Sequence, residues 1–152
     1  FIEDAQQIVK ERGTPDQIRV CRWLWNANFG SLEQLHEYYR EMGPMYSRRF
    51  DLESFEASWD CGIRNFEQLN LGFGGFLRTF DFTDQLQHIT CPTLVLAGAH
   101  EWICPPHHSQ IIAEHIPRAI LKIFARSAHL IAMDEPEAWL AAVRGFLTYA
   151  PV

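Results

Sequence analysis

The chain has 152 residues, of which 47% are hydrophobic, and it carries a formal net charge of −6. This composition is typical of one globular domain, or of part of a larger one, and it excludes a disordered or repetitive chain. Lys and Arg are scattered without forming a basic stripe, which argues against a nucleic-acid partner. The apolar runs are too short for a membrane span and no secretory leader is recognisable, so no membrane partner is predicted.

The four cysteines are widely spaced and contain no CxxC pair. They are too few for a disulfide framework in a chain of this size. We therefore expect reduced thiols in a cytoplasmic protein. The cysteines are Cys21, Cys61, Cys91 and Cys104.

The first half of the chain has the pattern of a helical layer. A helical pattern begins directly at Phe1, without a Met, which leads us to expect a fragment of a longer protein. Thr14 and Gln17 form a capping box around Pro15, and this combination predicts the start of a second helix. Ser31 repeats the capping signal ahead of a third helix.

The third helix is expected to end at Gly43 and Pro44, because both residue types terminate helices. A further helical stretch runs from about Leu52 into the segment "GFGG", which begins at Gly72. We interpret this segment as a flexible connection, since it follows no strand and lacks the third glycine of a phosphate-binding GxGxxG loop. No strand is predicted in residues 1–84, which are expected to form a helical cap or lid.

The pattern changes after Gln85. The run "CPTLVLAG", ending at Gly98, is short, continuous and apolar, which is typical of a strand buried on both faces. A helix from Pro106, a second strand "AILKIF" and a last helix follow, and this succession predicts a parallel α/β unit over residues 85–152. The helical residues predicted to point inward are Ile111, Ile112 and Ile116, and the residues predicted to share one face of the last helix are Trp139, Leu140, Val143, Phe146 and Leu147.

The predicted fold class is therefore α/β, an incomplete core of two parallel strands with helices, preceded by a helical cap. Two parallel strands cannot cover both of their faces or close their edges unaided. We expect the partner to be a missing N-terminal half or a second copy of the chain. Pairing or swapping of strands near Thr93 to Leu96 would then produce at least a dimer.

A carboxylate and an imidazole follow the two predicted strands. Glu101 lies just past the end of the first strand and His129 just past the end of the second. Because neighbouring parallel strands end at the same edge of a sheet, we expect the two side chains to meet there. Such a pair is the acid and base part of a nucleophilic triad. The alternative, a surface-turn Glu and a His that begins a helix, stays open.

No metal ion or other cofactor is predicted. His107 and His108 are adjacent, so their side chains are expected to point to different faces of a helix. His108 and His115 are two turns apart and do not have the HxxxH spacing of a metal site.

The segments "TLVLAGAHEWICPP" and "IPRAILKIFARSAHLIAMDEPEAWLAAVRGFL" resemble the C-terminal third of an α/β-hydrolase and are most similar to the proline iminopeptidase group. The resemblance covers roughly Gln85 to Phe146, and the helical half is more weakly similar to the cap of that family. It implies that Glu101 takes the position of the family's Asp and His129 that of its catalytic His. The additional methylene of Glu displaces a carboxylate by about an ångström or more unless the backbone adjusts.

A second departure from the family concerns the nucleophile. None of the serines has a Gly two residues before it, so the chain contains no GxSxG elbow. The oxyanion-hole "HG" segment is also missing from these 152 residues. We therefore expect the chain to carry the acid and the His of a serine hydrolase and to be inactive alone.

The resemblance implies a cap over the pocket for a small peptide, amide or ester substrate. The family places acidic residues in this cap, yet the connection "LNLGFGGFLRTFDF" has glycines where a Glu would be expected. Three functions stay open: a proline-iminopeptidase-like hydrolase, an esterase, lactonase or amidase of the same fold, and a non-catalytic, self-associating module. The residues expected to line the pocket are Trp23, Trp25, Trp59, Phe73, Phe76 and Trp102.

Overall fold

The computed structural model describes residues 1–149, and for Tyr149 the backbone only. The chain divides into two compact units. The helical unit contains Ile2–Pro44 and Phe50–Phe80. The strand unit contains Phe1, Met45–Arg49 and the described residues from Asp81 onward. The segment Met45–Arg49 thus belongs to the strand unit although its first two residues end a helix that begins in the other unit.

The helical unit consists of α-helices joined by short turns. Even its longest helix has only 15 residues, and no described helix has the length and apolar character needed to cross a bilayer. Short 3₁₀ turns lie at Trp59–Cys61 and Phe76–Arg78. The helices are α1 (Ile2–Arg12), α2 (Pro15–Trp25), α3 (Leu32–Tyr46), α4 (Leu52–Ser58) and α5 (Phe66–Gly74).

The start of α2 has the predicted capping box. The Thr14 hydroxyl accepts the N–H of Gln17 at 3.2 Å, and the Gln17 side chain accepts the N–H of Thr14 at 2.9 Å. The Gln17 amide also donates to the carbonyl of Glu41 at 3.0 Å, which ties α2 to α3. The apolar faces of these two helices form the core of the unit, with the buried residues Val20, Cys21, Leu24, Leu35, Tyr38 and Met42.

The predicted end of α3 was wrong. The helix continues through Gly43 and Pro44 to Tyr46. Gly43 is buried against the ring of Phe50, and a Cβ added at Gly43 would lie only 2.1 Å from that ring. This glycine therefore permits close packing inside a helix. Pro44 lies in the last turn, where a missing N–H costs the helix a single hydrogen bond.

The predicted helical stretch from Leu52 is interrupted. Gly62 is extended, with φ −134° and ψ 157°, and the side chain of Asn65 caps a new helix by accepting the N–H of Gln68 at 3.0 Å. A local side-chain cap thus competes with helix continuation. The segment that begins at Gly72 lies largely within α5 and is not a flexible connection. No strand is found in described residues 1–84, as predicted.

The strand unit has the predicted strand, helix, strand and last helix, with an additional short helix at Ile131–Asp134 where a turn was predicted. Within this unit, a 3₁₀ turn at Thr83–His88 precedes the first strand. The two strands are parallel neighbours, with Leu94 opposite Ile120 and Gly98 opposite Phe124. The elements are β1 (Leu94–Gly98), α6 (Pro106–His115), β2 (Ile120–Phe124), α7 (Ile131–Asp134) and α8 (Pro136–Tyr149). The predicted α/β class with an incomplete core of two parallel strands is confirmed.

The predicted burial of the sheet was wrong. In β1 only Ala97 and Gly98 are buried, and in β2 only Phe124 is buried, while Ile120 is 55% exposed. Each strand has one neighbour among the described residues, so one edge of each strand is unpaired there. A continuous apolar run predicts a strand, but burial on both faces requires further layers.

Two side chains of α6 that were predicted to point inward are also exposed. Ile116 is buried as expected, whereas Ile111 is 37% and Ile112 38% exposed. In α8, Leu140 is 39% and Leu147 72% exposed. The helical spacing correctly groups these residues on apolar faces, but spacing alone does not supply the surface that covers them.

Candidate active site

The loops that follow β1 and β2 remain paired beyond the strands. Ala99 donates its N–H to the carbonyl of Phe124 at 2.9 Å, and His100 donates to Ser127 at 2.9 Å. Gly98 permits this close approach, because an added Cβ would lie 2.1 Å from the carbonyl oxygen of Ala128. The two loops are therefore held in contact at one edge of the sheet.

This contact brings Glu101 and His129 together. His129 Nδ1 lies 2.6 Å from Glu101 Oε2, and the other carboxylate oxygen accepts the N–H of Ile103 at 2.8 Å. Since an ionised carboxylate only accepts hydrogen bonds, Nδ1 carries the hydrogen in this pair. The Glu101 side chain is 11% exposed and that of His129 is 40% exposed. The imidazole is thus anchored on one side and accessible on the other.

Nε2 of His129 has no hydrogen-bond partner among the described residues. In its neutral form this nitrogen has a lone pair, which can take a proton from a hydroxyl or from water. The carboxylate on the opposite nitrogen stabilises the imidazolium that results. The geometry is that of a general base with its orienting acid.

Tyr46 packs between His129 and Trp102. Its ring centroid is 5.5 Å from that of His129 and 5.4 Å from that of Trp102, with nearly perpendicular planes. Its carbonyl oxygen accepts the N–H of Leu130 at 2.9 Å. The sequence analysis missed this residue, because α3 was expected to end at Pro44, and the contact joins positions distant in sequence.

Residues 125–130, which we name the His129 loop, are also held by Asp134. Asp134 Oδ2 accepts the N–H of Ala128 at 2.7 Å, and Oδ1 accepts the Ser47 hydroxyl at 2.6 Å. Burial by itself raises the pKa of Asp134, but hydrogen bonds from Ser47, Ala128, Arg48 and Arg49 outweigh it and place the pKa below its usual value. Asp134 is therefore a carboxylate in the folded chain.

Glu135 holds the other end of the same loop. Its Oε2 accepts the Ser127 hydroxyl at 2.8 Å and the N–H of Arg126 at 2.9 Å. The Ser127 hydroxyl, followed by the contacts of Arg126, lowers the pKa of Glu135 despite partial desolvation. An acidic pair that follows a candidate His within one short turn was the available sequence signal, and the sequence analysis did not use it.

Cys104 lies near Glu101 without the properties of a reactive thiolate. Burial, and then the negative charge of Glu101, raise the pKa of the Cys104 thiol. The thiol therefore stays protonated near neutral pH, which disfavours it as a nucleophile beside His129.

Solved structures of other proteins share the fold of this chain. No family model matches the chain. An esterase from Exiguobacterium antarcticum has a TM-score of 0.67 at 19% identity and aligns with 87% of this chain and 48% of its own. Proline iminopeptidase from Mycobacterium smegmatis has a TM-score of 0.60 at 20% identity, with 95% of this chain and 51% of its own aligned. The chain has part of the α/β-hydrolase fold.

In sequence, the chain is similar to proline iminopeptidases. It is 32% identical over 106 residues to proline iminopeptidase PfmaB of Pestalotiopsis fici, a match of 70% of this chain and 38% of the relative. It is 33% identical over 93 residues to proline iminopeptidase of Heyndrickxia coagulans, covering 57% and 32% respectively. The resemblance inferred from the sequence is confirmed, and the chain spans about a third of the length of these curated relatives.

The aromatic residues predicted to line a pocket occupy different places in the chain. Trp25 and Phe73 are buried and meet edge to face at 5.7 Å. Phe76 is 60% exposed and stacks on Phe80. Trp102 belongs to the strand unit and is 1% exposed.

Two further predicted pocket residues make other ring contacts. Trp23 packs against Phe29 at 6.2 Å, and Trp59 packs edge to face on His36 at 4.6 Å. Within the helical unit, the Trp23–Phe29 contact continues to Tyr38 at 5.4 Å, whereas Trp59 belongs to a cluster with His36 and Phe55. The substrate-binding role of the six residues stays a prediction.

The expectation that His107 and His108 point apart was wrong. Their ring centroids lie 4.1 Å from each other in the first turn of α6. Adjacent Cα–Cβ bonds point in different directions on a helix. Rotation about the side-chain bonds of two neighbouring histidines can nevertheless bring their rings together.

Proposed function

We propose that this chain supplies the acid and the base of a serine-hydrolase triad, in an enzyme of proline-iminopeptidase type that releases N-terminal residues from peptides or cleaves related amides. One observation supports the proposal above all others. Glu101 and His129 form a 2.6 Å contact past the ends of two adjacent parallel strands, where α/β enzymes carry their reacting groups. In this proposal Glu101 orients His129, and His129 transfers protons.

The proposed reaction needs a hydroxyl nucleophile. As the hydroxyl oxygen bonds to the substrate carbonyl carbon, its proton moves to Nε2 of His129, and Glu101 stabilises the imidazolium. Collapse of the tetrahedral intermediate breaks the bond to the leaving amine, which receives the proton from Nε2. Water then attacks the acyl-enzyme, giving its proton to Nε2, and the released hydroxyl takes that proton back.

We assign neither Ser47 nor Ser127 as this nucleophile. Ser47 is 2% exposed and Ser127 0% exposed, and their hydroxyls donate to Asp134 and Glu135. Together with the lack of a GxSxG elbow in these residues, this supports a nucleophile and oxyanion donors supplied by another polypeptide segment. The chain alone is then inactive.

An esterase, lactonase or amidase is the second candidate function. It is favoured by the structural likeness to the E. antarcticum esterase and by the lack of a Glu in the "LNLGFGGFLRTFDF" connection. Such an enzyme uses the same pair. In an esterase or lactonase Nε2 protonates an alcohol leaving group, and in an amidase it protonates an amine as in the first candidate.

The first test uses the purified chain. We expect no turnover of a proline arylamide or a short-chain aryl ester, and no covalent labelling by a fluorophosphonate probe, because an activated hydroxyl is required for each. Saturable turnover or labelling of a serine in this chain would contradict the proposed division of the triad.

The second test supplies the nucleophile. Residues 1–149, which include the segment Met45–Arg49 that contacts the His129 loop, replace the corresponding segment of the H. coagulans proline iminopeptidase, and kcat is measured on the arylamide and on the aryl ester. We expect Glu101→Gln to lower kcat by about 10³-fold or more, with little change in folding. The exposed Glu114, changed to Gln, is the matched control and should leave kcat unaltered.

The outcomes of this second test separate the candidates. Faster arylamide cleavage supports the proline-iminopeptidase type, and faster ester cleavage supports the second candidate. A folded chimaera that is inactive on both substrates, or one that is active and insensitive to Glu101→Gln, would contradict the proposed role of the pair.

A further inference from the structure

Asp134 is the only buried acidic residue in the part of the chain that the structure describes. It is 8% exposed and lies at the end of α7, five residues after His129 in sequence. Burying a carboxylate is unfavourable unless hydrogen bonds compensate for the water it loses. Its contacts therefore identify what this carboxylate holds in place.

The carboxylate connects the His129 loop to the segment that follows α3. Oδ2 accepts the N–H of Ala128 at 2.7 Å. Oδ1 accepts the Ser47 hydroxyl at 2.6 Å and the N–H of Arg49 at 3.2 Å. The Ser47 oxygen also accepts the N–H of Arg49 at 3.1 Å. All these groups belong to the strand unit.

Both chain neighbours of His129 are fixed by this arrangement. Asp134 holds the N–H of Ala128, and the carbonyl of Tyr46 holds the N–H of Leu130 at 2.9 Å. The Tyr46 ring also packs against the imidazole. The backbone on either side of His129 is therefore held by hydrogen bonds to residues 46–49. The bond from Leu130 is direct, and the one from Ala128 is made through Asp134.

We propose that Asp134 is a positioning residue for His129, because its carboxylate fixes the His129 loop and so sets the contact between Nδ1 and Glu101. This inference rests on the proposed function, and it adds a group that acts through His129 without touching substrate. A small movement of Ala128 is carried directly into the orientation of the next side chain. A 2.6 Å hydrogen bond is sensitive to such a movement.

The test follows the Nδ1–H proton of His129 by NMR on the intact chain labelled with ¹⁵N-histidine. In the unmodified chain this proton is expected far downfield and in slow exchange with water. Asp134→Asn offers one acceptor oxygen in place of two. It should abolish the signal or speed its exchange by about tenfold or more, as expected when a hydrogen bond to a charged group is lost.

Asp81→Asn is the matched control. Asp81 is an exposed carboxylate of the strand unit that accepts one backbone N–H, that of Thr83 at 2.9 Å. The control variant should leave the His129 proton unchanged. If Asp134→Asn also leaves it unchanged while lowering only the free energy of unfolding, Asp134 has a structural role alone and the inference is overturned.

Ser47→Ala keeps the test decisive if Asp134→Asn prevents folding. It removes the 2.6 Å bond to Oδ1 but leaves the carboxylate and its bond to Ala128. We expect proton exchange faster than in the unmodified chain, and no acceleration would overturn the inference. Glu101→Gln examines the proposed function separately, because an unchanged proton in that variant means that the pair itself does not form.

Discussion

Glu101 is longer than Asp by one methylene, and its contacts show how that length is accommodated. Its N–H donates to the carbonyl of Gly98 at 3.2 Å, which turns the chain directly after β1. One carboxylate oxygen then reaches His129 while the other accepts the N–H of Ile103. Because both oxygens are bonded, the additional rotatable bond does not leave the carboxylate loose.

The cysteines provide a test of burial at the scale of single residues. Burial raises the pKa of Cys21 to about 12, whereas Cys61 and Cys91 are exposed. A raised pKa leaves the thiol protonated and unreactive, because the thiolate is the nucleophile. We expect a chromogenic thiol reagent to modify the exposed Cys61 and Cys91 rapidly and Cys21 only after unfolding.

Adding a denaturant is the control for that measurement, and it should make all four thiols reactive. Cys104 is half-buried and should react more slowly than the two exposed residues. Rapid modification of Cys21 in the folded chain would contradict the buried core between α2 and α3.

Among the elements, the end of β1 shows the tightest constraint on the site. A Cβ at Gly98 would lie 2.1 Å from the Ala128 oxygen and 2.5 Å from the Ser127 oxygen. These are backbone atoms of the His129 loop, which cannot rotate away as a side chain can. The two loops can therefore pack this closely only with glycine at this position.

Gly98→Ala is accordingly expected to lower the free energy of unfolding by about 1–3 kcal/mol, as overpacking does. The matched control is Gly145→Ala in α8, where an added Cβ meets nothing within 4 Å. That control should be neutral or stabilising by up to about 1 kcal/mol, because Ala favours helix over Gly. Urea unfolding of both variants measures the difference, and equal stabilities would contradict the close approach of the loops.

α3 illustrates how packing overrides a local signal. Gly and Pro together predicted an end at position 44, yet the helix continues to Tyr46. The Phe50 ring fills the space that a side chain at Gly43 would need. The two additional residues matter because they carry the chain to the ring and carbonyl of Tyr46, which contact His129 and Leu130.

At the scale of the whole molecule, each of the two strands has an unpaired edge among the described residues, and such an edge can pair with a second copy of the chain. We expect the isolated chain to form at least a dimer at micromolar concentration, by pairing strands near Thr93 to Leu96. Light scattering should then give a mass of at least twice 17.6 kDa. A stable monomer would remove this prediction.

A surface variant separates two modes of association. Ile123 is 39% exposed in β2, so Ile123→Lys adds a charge to the exposed surface of β2 without changing the backbone edge of β1. If β1 edges pair, the mass of the variant should not change. If the dimer of this variant dissociates, the two copies instead pack through the exposed apolar surface of β2.

Sequence alone was sufficient for the strand–helix–strand order after Gln85, the capping box of α2, the parallel α/β class and the proximity of Glu101 to His129. These features depend on local patterns, or on the rule that parallel strands end at one edge. The continuation of α3, the interruption after α4 and the exposure of Ile120 and Leu147 depended on tertiary packing. They are decided by which surfaces meet, and hydrophobic spacing does not specify this.

The same distinction applies within the site. The sequence by itself determined that an acid and a His follow neighbouring strands, because each belongs to its own strand-loop pattern. Only the tertiary structure decided that Tyr46, Ser47 and Asp134 hold the His129 loop. The Ser47 hydroxyl and the Asp134 carboxylate are 87 residues apart in sequence, and no local pattern links them. Their 2.6 Å bond forms because folding buries both groups, and a buried polar group must find a partner within the protein.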